Sequence, residues 1–193
     1  MVSLEEVAIA RPDPSELLSL MQQTEKQRDR RPLAYERLIG TWRLLWVANA
    51  RKQRGRGVQM GAGRYLPAWL GITLTYTPAQ RVENRVQLGP VALTLTGPVR
   101  CAANPSILAF DFTAVQVQWG NRTLYQGTMR GGAAAEAQFP EKPLREQAFF
   151  VYFYVGLQAI AARGRGGGLA LWHRLGTPSG APASIPTSIP DPP

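Results

Sequence analysis

Hydrophobic and polar positions follow two different periods along this chain. Near the N-terminus the period is helical. Asp13-Pro14-Ser15-Glu16 reads as an N-cap, a proline at the first helical position, and a glutamate able to reach back to the cap. Leu17, Leu20, Met21 and Thr24 follow at helical spacing and form a narrow apolar stripe. The pattern predicts a helix over 13–31 that covers one side or end of the domain. It ends before Pro32, because the residue preceding a proline is pushed out of the α region.

From Gly40 the period changes to two. Thr41 to Ala48 reads as a strand with Trp42, Leu44 and Trp46 on one face. Ile72, Leu74 and Tyr76 alternate with Thr73, Thr75 and Thr77, as a half-buried strand requires. Val82–Leu88 and Val91–Thr96 form a pair turned by Gly89-Pro90, and Ile107–Phe112 is more continuously apolar. Val115, Val117 and Trp119 alternate again, with a phase shift near Thr113-Ala114 that predicts a bulge or bend. Thr123–Met129, Phe149–Val155, Leu157–Ala162 and Gly168–Leu175 complete the set. So many antiparallel strands must manage their edges, and closing the sheet does so. The expected fold is mainly β: an antiparallel barrel over 13–175 with an N-terminal helix, with a two-sheet sandwich as the alternative. Residues 1–12 are expected to be a flexible N-terminus, Gly131–Pro143 a mobile Ala/Gly/Pro-rich loop, and 176–193 a disordered Pro-rich tail.

Composition narrows the chemistry. The chain has 193 residues, 45% of them hydrophobic, with Gly 19 and Pro 16, which suits one turn-rich domain with tails. One cysteine, Cys101, and one histidine, His173, exclude an internal disulfide and leave no Cys/His or multi-His metal site. A Ser-His-Asp triad would need His173, and no G-x-S-x-G elbow or phosphate-binding loop is present. Glu83 and Asp111 are the mid-strand carboxylates, and both read as solvent-facing or structural. No catalytic residue, cofactor or metal is therefore expected. The longest apolar run, Phe149–Ala162, is interrupted by Gln158 and falls short of the ~20 residues a spanning helix needs. The acidic Glu5 and Glu6 argue against a secretory signal at the N-terminus.

The net charge is +9 and comes mainly from arginine. It predicts attraction to a polyanion, either nucleic acid or an anionic membrane. Arg51, Lys52, Arg54 and Arg56 are the candidate membrane-surface group, the plainer alternative being a solvated hairpin loop. Arg163-Gly164-Arg165-Gly166 superficially resembles an arginine-glycine box but reads better as a tight turn. The aromatics are not interleaved with exposed arginines as base stacking needs, which argues against nucleic acid.

Gly40-Thr41-Trp42 carries more specific information. Gly-x-Trp at the mouth of a first strand is a signature of lipocalin-like barrels. There the Trp closes one end and packs against a late arginine, for which Arg163 and Arg174 are candidates. Leu38, Gly40, Trp42, Leu44, Leu45 and Trp46, then Val82-Glu83-Asn84-Arg85-Val86, then Tyr154 to Leu171 with Arg163-Gly164, occur in the order found in the plastid-lipid-associated proteins, or fibrillins. The chain resembles that family over Leu17–Arg174, and without a transit peptide it resembles a cyanobacterial member. It departs where the family usually carries an aspartate and an arginine, at Gly156 and Ile160.

The resemblance implies a lipocalin-like, non-enzymatic protein, cytoplasmic and peripheral to the thylakoid membrane, that binds lipid, carotenoid or quinone. Leu44, Trp46, Ile72, Leu74, Tyr76, Phe110, Phe112 and Val117 are the expected cavity lining, and Gly40, Trp42, Arg163 and Gly164 the barrel-closing set. The alternatives are an assembly subunit of a photosynthetic complex with a filled barrel, a basic nucleic-acid-binding barrel, and a pigment lyase that would need Asp111 or Glu83 as acid or base.

Overall fold

The computed structural model describes residues 3–28, 32–53, 57–102 and 106–176. Its strands are β1 (Gly40–Ala48), β2 (Ala50–Gln53), β3 (Gly57–Met60), β4 (Arg64–Tyr65), β5 (Leu70–Thr77), β6 (Arg81–Leu88), β7 (Val91–Cys101), β8 (Ile107–Phe110), β9 (Ala114–Trp119), β10 (Arg122–Thr128), β11 (Ala148–Val155), β12 (Ala159–Gly164) and β13 (Leu169–Leu175). Three α-helices accompany them: α1 (Leu4–Ala10), α2 (Pro14–Lys26) and α3 (Ala133–Gln138).

Eight strands close into an antiparallel barrel in the order β1, β5, β6, β7, β8, β11, β12, β13. The barrel branches at β7. The lower half of β7, Val99–Cys101, pairs with β8, and its upper half, Val91–Thr96, pairs with β9. The predicted phase shift is this bend: between β8 and β9 the chain leaves the barrel wall, and β10 pairs on β9 outside it. Gly97 sits at the branch because a Cβ there would stand 2.1 Å from the Asp111 carbonyl oxygen. The result is a barrel with a sheet of β6, β7, β9 and β10 rising from one wall.

A bulge in β1 divides the apolar residues into two cores. Trp42 pairs with Arg174 and Leu44 with Trp172, but Trp46 pairs with Leu171, one residue out of step. One extra residue in a strand turns all later side chains to the other face. Trp42 and Leu44 therefore point into the barrel, with Tyr76, Val82, Leu108, Tyr152, Ile160 and Trp172. Trp46 joins the outer core with Leu4, Val7, Leu17, Met21, Phe153 and Leu171, beneath α1 and α2. The expectation that Trp46 shares a face with Trp42 and lines the cavity is thus corrected.

The helices refine the expected organisation. Residues 1–12 are not simply a flexible lead, because Leu4–Ala10 is helical and buries Leu4 and Val7. Its capping box is complete: the Ser3 hydroxyl accepts from the Glu6 N–H at 3.2 Å, and the Ser3 N–H donates to Glu6 at 2.9 Å. Helix α2 starts as predicted, with Asp13 accepting from the Ser15 N–H at 2.8 Å, but it ends at Lys26. Beyond Met21 its sequence offers no large apolar side chain to bury.

The expected mobile loop Gly131–Pro143 contains α3, which is tied to the outer barrel wall. Arg81 donates both guanidinium nitrogens to Glu136 at 2.9 Å, and Phe139 is buried beside Arg100. Arg54 and Arg56, and the tail from residue 177 on, lie outside the described residues, as do the side chains of Arg51 and Lys52.

Candidate functional site

The barrel has one closed and one open end. At the closed end, where β1 begins, Gly40 has φ +127°, and a Cβ there would lie 2.5 Å from Arg174. Only glycine leaves room for that guanidinium to lie 3.9 Å from the centre of the Trp42 ring. Arg174 also donates to the carbonyls of Leu157 at 2.7 Å, Ile39 at 2.8 Å and Arg37 at 2.9 Å. Burial lowers its pKa from the usual value, and the three carbonyls and the ring compensate the buried charge. The Trp42 indole donates to the Leu38 carbonyl at 2.6 Å.

Of the two candidate arginines, Arg174 is therefore the one on Trp42. Arg163 serves elsewhere: it grips Glu25 of α2 at 2.6 and 2.5 Å, and it donates to the Gly167 carbonyl across the β12–β13 turn. Gly164 belongs to that same turn, its N–H bonded to the Gly168 carbonyl at 2.9 Å. Neither residue closes the barrel at Trp42, because their turn lies at the far end of β12 and β13. The expected aspartate position, Gly156, has a carboxylate above it after all. Glu5 of α1 accepts from the N–H groups of Leu157 at 2.5 Å and Gln158 at 3.0 Å, in space that a Cβ on Gly156 would take. Ile160 is buried in the barrel interior.

Above this plug the interior is still filled. Tyr76 and Tyr152 hydroxyls bond at 2.7 Å across the barrel axis, and burial raises both phenols above their normal value. Tyr35 closes the floor from outside, donating to the Thr77 carbonyl at 2.8 Å, and burial lifts its pKa to about 12.

The open end is hollow. A half-open cavity of about 160 Å³ is lined by Leu44, Ile72, Leu74, Asn84, Phe110, Phe112, Phe150 and Trp172. Five of the expected lining residues are there: Leu44, Ile72, Leu74, Phe110 and Phe112. Tyr76 lies in the barrel interior but in the filled half, engaged with Tyr152. Val117 lies on the branch sheet, and Trp46 lies outside the barrel. Asn84, Phe150 and Trp172 complete the lining. The inward phase of β6, β11 and β13 would have found them had the strand register been known. Phe150 organises the aromatic wall, with centroids 5.0 Å from Phe110 and 5.4 Å from Trp172.

The cavity wall continues onto the branch sheet. Paired residues in an antiparallel sheet share a face. Ile72, Val86, Leu93, Val117 and Tyr125 therefore form one apolar row, and Leu74, Asn84, Leu95 and Val115 the next. The opposite face is polar, where Arg85 bridges Gln118 at 2.9 Å and Gln87 at 3.1 Å. Glu83 lies on that outer phase opposite Thr75 and Thr96, and Asp111 pairs with Arg130 at 2.8 Å.

Among the described residues no group of three or more His, Cys, Asp and Glu side chains could hold a metal ion, and no helix is long and apolar enough to cross a membrane. Fold and site together define a closed antiparallel barrel, plugged at one end, with a small apolar cavity opening onto an apolar sheet. No family model, no curated protein and no solved structure matches the chain.

Proposed function

We propose that this protein is a non-enzymatic binder of lipid-type molecules that works at an anionic membrane surface. The observation that carries the proposal is the cavity of about 160 Å³, apolar but for Asn84, opening onto the apolar rows of the branch sheet. That volume is below the ~300–1,000 Å³ of ordinary ligand sites. It is close to the ~150 Å³ apolar cavity that accepts a benzene ring. A carotenoid or a prenylated quinone does not fit inside whole. One ring, or the end of an acyl chain, enters between Phe110, Phe150 and Trp172, with the Asn84 amide beside it. The remainder lies along Ile72, Leu93 and Val117.

The plugged end, with Arg174 against Gly40 and Trp42, supports the lipocalin-like reading. The plastid-lipid-associated resemblance points to the same ligand class, and the photosynthetic-membrane setting rests on that resemblance. An assembly role in a photosynthetic complex is favoured by one observation, the 37% exposure of Leu93 and 55% exposure of Tyr125 on the sheet face.

The test is displacement of an environment-sensitive fluorescent fatty acid by β-ionone, a short-chain benzoquinone and palmitate. The wild type binds the probe and all three compete. Leu74→Trp fills the cavity and weakens binding about tenfold or more, the loss of roughly one buried side chain's contacts, with the melting temperature little changed. If the wild type takes up no probe, the proposal is wrong.

A further inference from the structure

The branch sheet ends in a group of side chains that the cavity does not use. Leu70, Leu88, Val91, Trp119 and Arg122 lie in one register row, the last before the sheet stops. Trp69 directly precedes that row. Trp69 is 67% exposed, and Leu88 and Trp119 are each 55% exposed. Gly89 and Gly120, at φ +55° and +56°, form the two hairpin tips, and a Cβ on either would meet nothing within 4 Å. The tips are joined, because the Gly120 N–H donates to the Pro90 carbonyl at 2.7 Å. They therefore stand as one unit, open to solvent.

We infer that these tips are the membrane-inserting end of the protein, with Trp69, Leu88 and Trp119 entering the interfacial layer of an anionic bilayer. This deepens the proposed function and rests on its membrane part.

Charge complementarity selects the bilayer over other occupants. The sequence carries +9 with a pI near 10.4, and Arg122 stands opposite Trp119 in the tip row. Tryptophan favours the water–lipid boundary, where its ring is buried and its N–H stays wet. Basic residues near it gain from anionic headgroups. The cavity mouth lies at this end too, since Leu44 and Ile72 face it from the upper parts of β1 and β5. An apolar ligand could then pass between bilayer and cavity along Ile72, Leu93 and Val117 without crossing water.

The experiment uses the full chain and two vesicle types: phosphatidylcholine alone, and an equimolar mixture with phosphatidylglycerol, each with or without bromine on the acyl chains. Trp42 and Trp46 are 0% exposed and Trp172, at 4%, lines the cavity, so the part of the spectral change that is lost in Trp69→Ser or Trp119→Ser reports the tips. The expected result is a blue shift and bromine quenching on the mixed vesicles. Trp69→Ser and Trp119→Ser each weaken binding by about tenfold, as half-burial of a large aromatic predicts. Both sites are exposed, so these variants keep the wild-type melting curve. Binding that is unchanged in both variants, with no quenching, overturns the inference and leaves attraction by charge alone. No vesicle binding at all, while the fluorescent fatty acid still enters the cavity, overturns the inference and the membrane part of the proposed function but not its ligand-binding part. A concentration-dependent dimer that buries both tryptophans in place of vesicle binding assigns the tips to a second copy and overturns it as well.

Discussion

Gly63 shows how little room single residues leave in this fold. It has φ +80°, and a Cβ there would lie 2.0 Å from the Trp46 ring. Gly63→Ala must both strain the backbone and displace a fully buried indole, at a cost of about 3 kcal/mol. Denaturant unfolding should show the midpoint falling with the slope unchanged. Glu136 makes a different prediction. Hydrogen bonds from Arg81, then from Thr113, hold its carboxyl down to about 2. A carboxyl with a lowered folded pKa stabilises at pH values above its unfolded pKa of about 4.3, and that contribution is lost as pH falls toward 2. Glu136→Gln should lower the melting temperature near pH 7 and have progressively less effect as pH falls through 4 and 3. A gap that persists undiminished at pH 3 would refute the assignment. The pair is partly exposed, so the effect is modest.

Elements differ in how far their sequences reveal them. Strand β5 was legible because Ile72, Leu74 and Tyr76 alternate with threonines without interruption. Helix α2 was legible from its cap and stripe. The β1 bulge was not, because Leu45 is as apolar as its neighbours and nothing in composition marks the extra residue. That hidden residue is why Trp46 was misplaced while Leu44, one step before it, was not. Helix α1 was missed because seven residues have little helical tendency of their own. Its anchor, Glu5 on Leu157 and Gln158, spans most of the chain. Arg163 and Arg174 could not be separated without the register that sets Trp42 opposite Arg174. Helix α2 depends on the Arg163–Glu25 pair, whose side chains are 28% and 17% exposed. Glu25→Ala leaves a partly buried guanidinium short of acceptors, at about 1–2 kcal/mol. Amide exchange in α2 should quicken more than exchange in β5 or β6.

At the scale of the whole molecule the barrel is an asymmetric container. One end is sealed by Trp42, Arg174 and the Tyr76–Tyr152 pair, and the other keeps an apolar hollow beside an apolar sheet. The proposed ligand entry and the proposed membrane attachment therefore use the same end. The β1 bulge has a consequence for how this container comes apart. One nine-residue strand faces the barrel interior with its first half and the helical layer with its second. It is a party wall between two rooms, and neither room can be demolished while the other stands. Trp42 and Trp46 sit four residues apart on that wall, one looking into each room. With Trp69, Trp119 and Trp172 replaced by Phe, adding Trp42→Phe leaves Trp46 alone to report the helical side, and adding Trp46→Phe instead leaves Trp42 alone to report the barrel. For each variant, tryptophan emission and far-ultraviolet dichroism should trace one coincident transition. Helical-side emission that moves before the β signal would mean the wall is not shared.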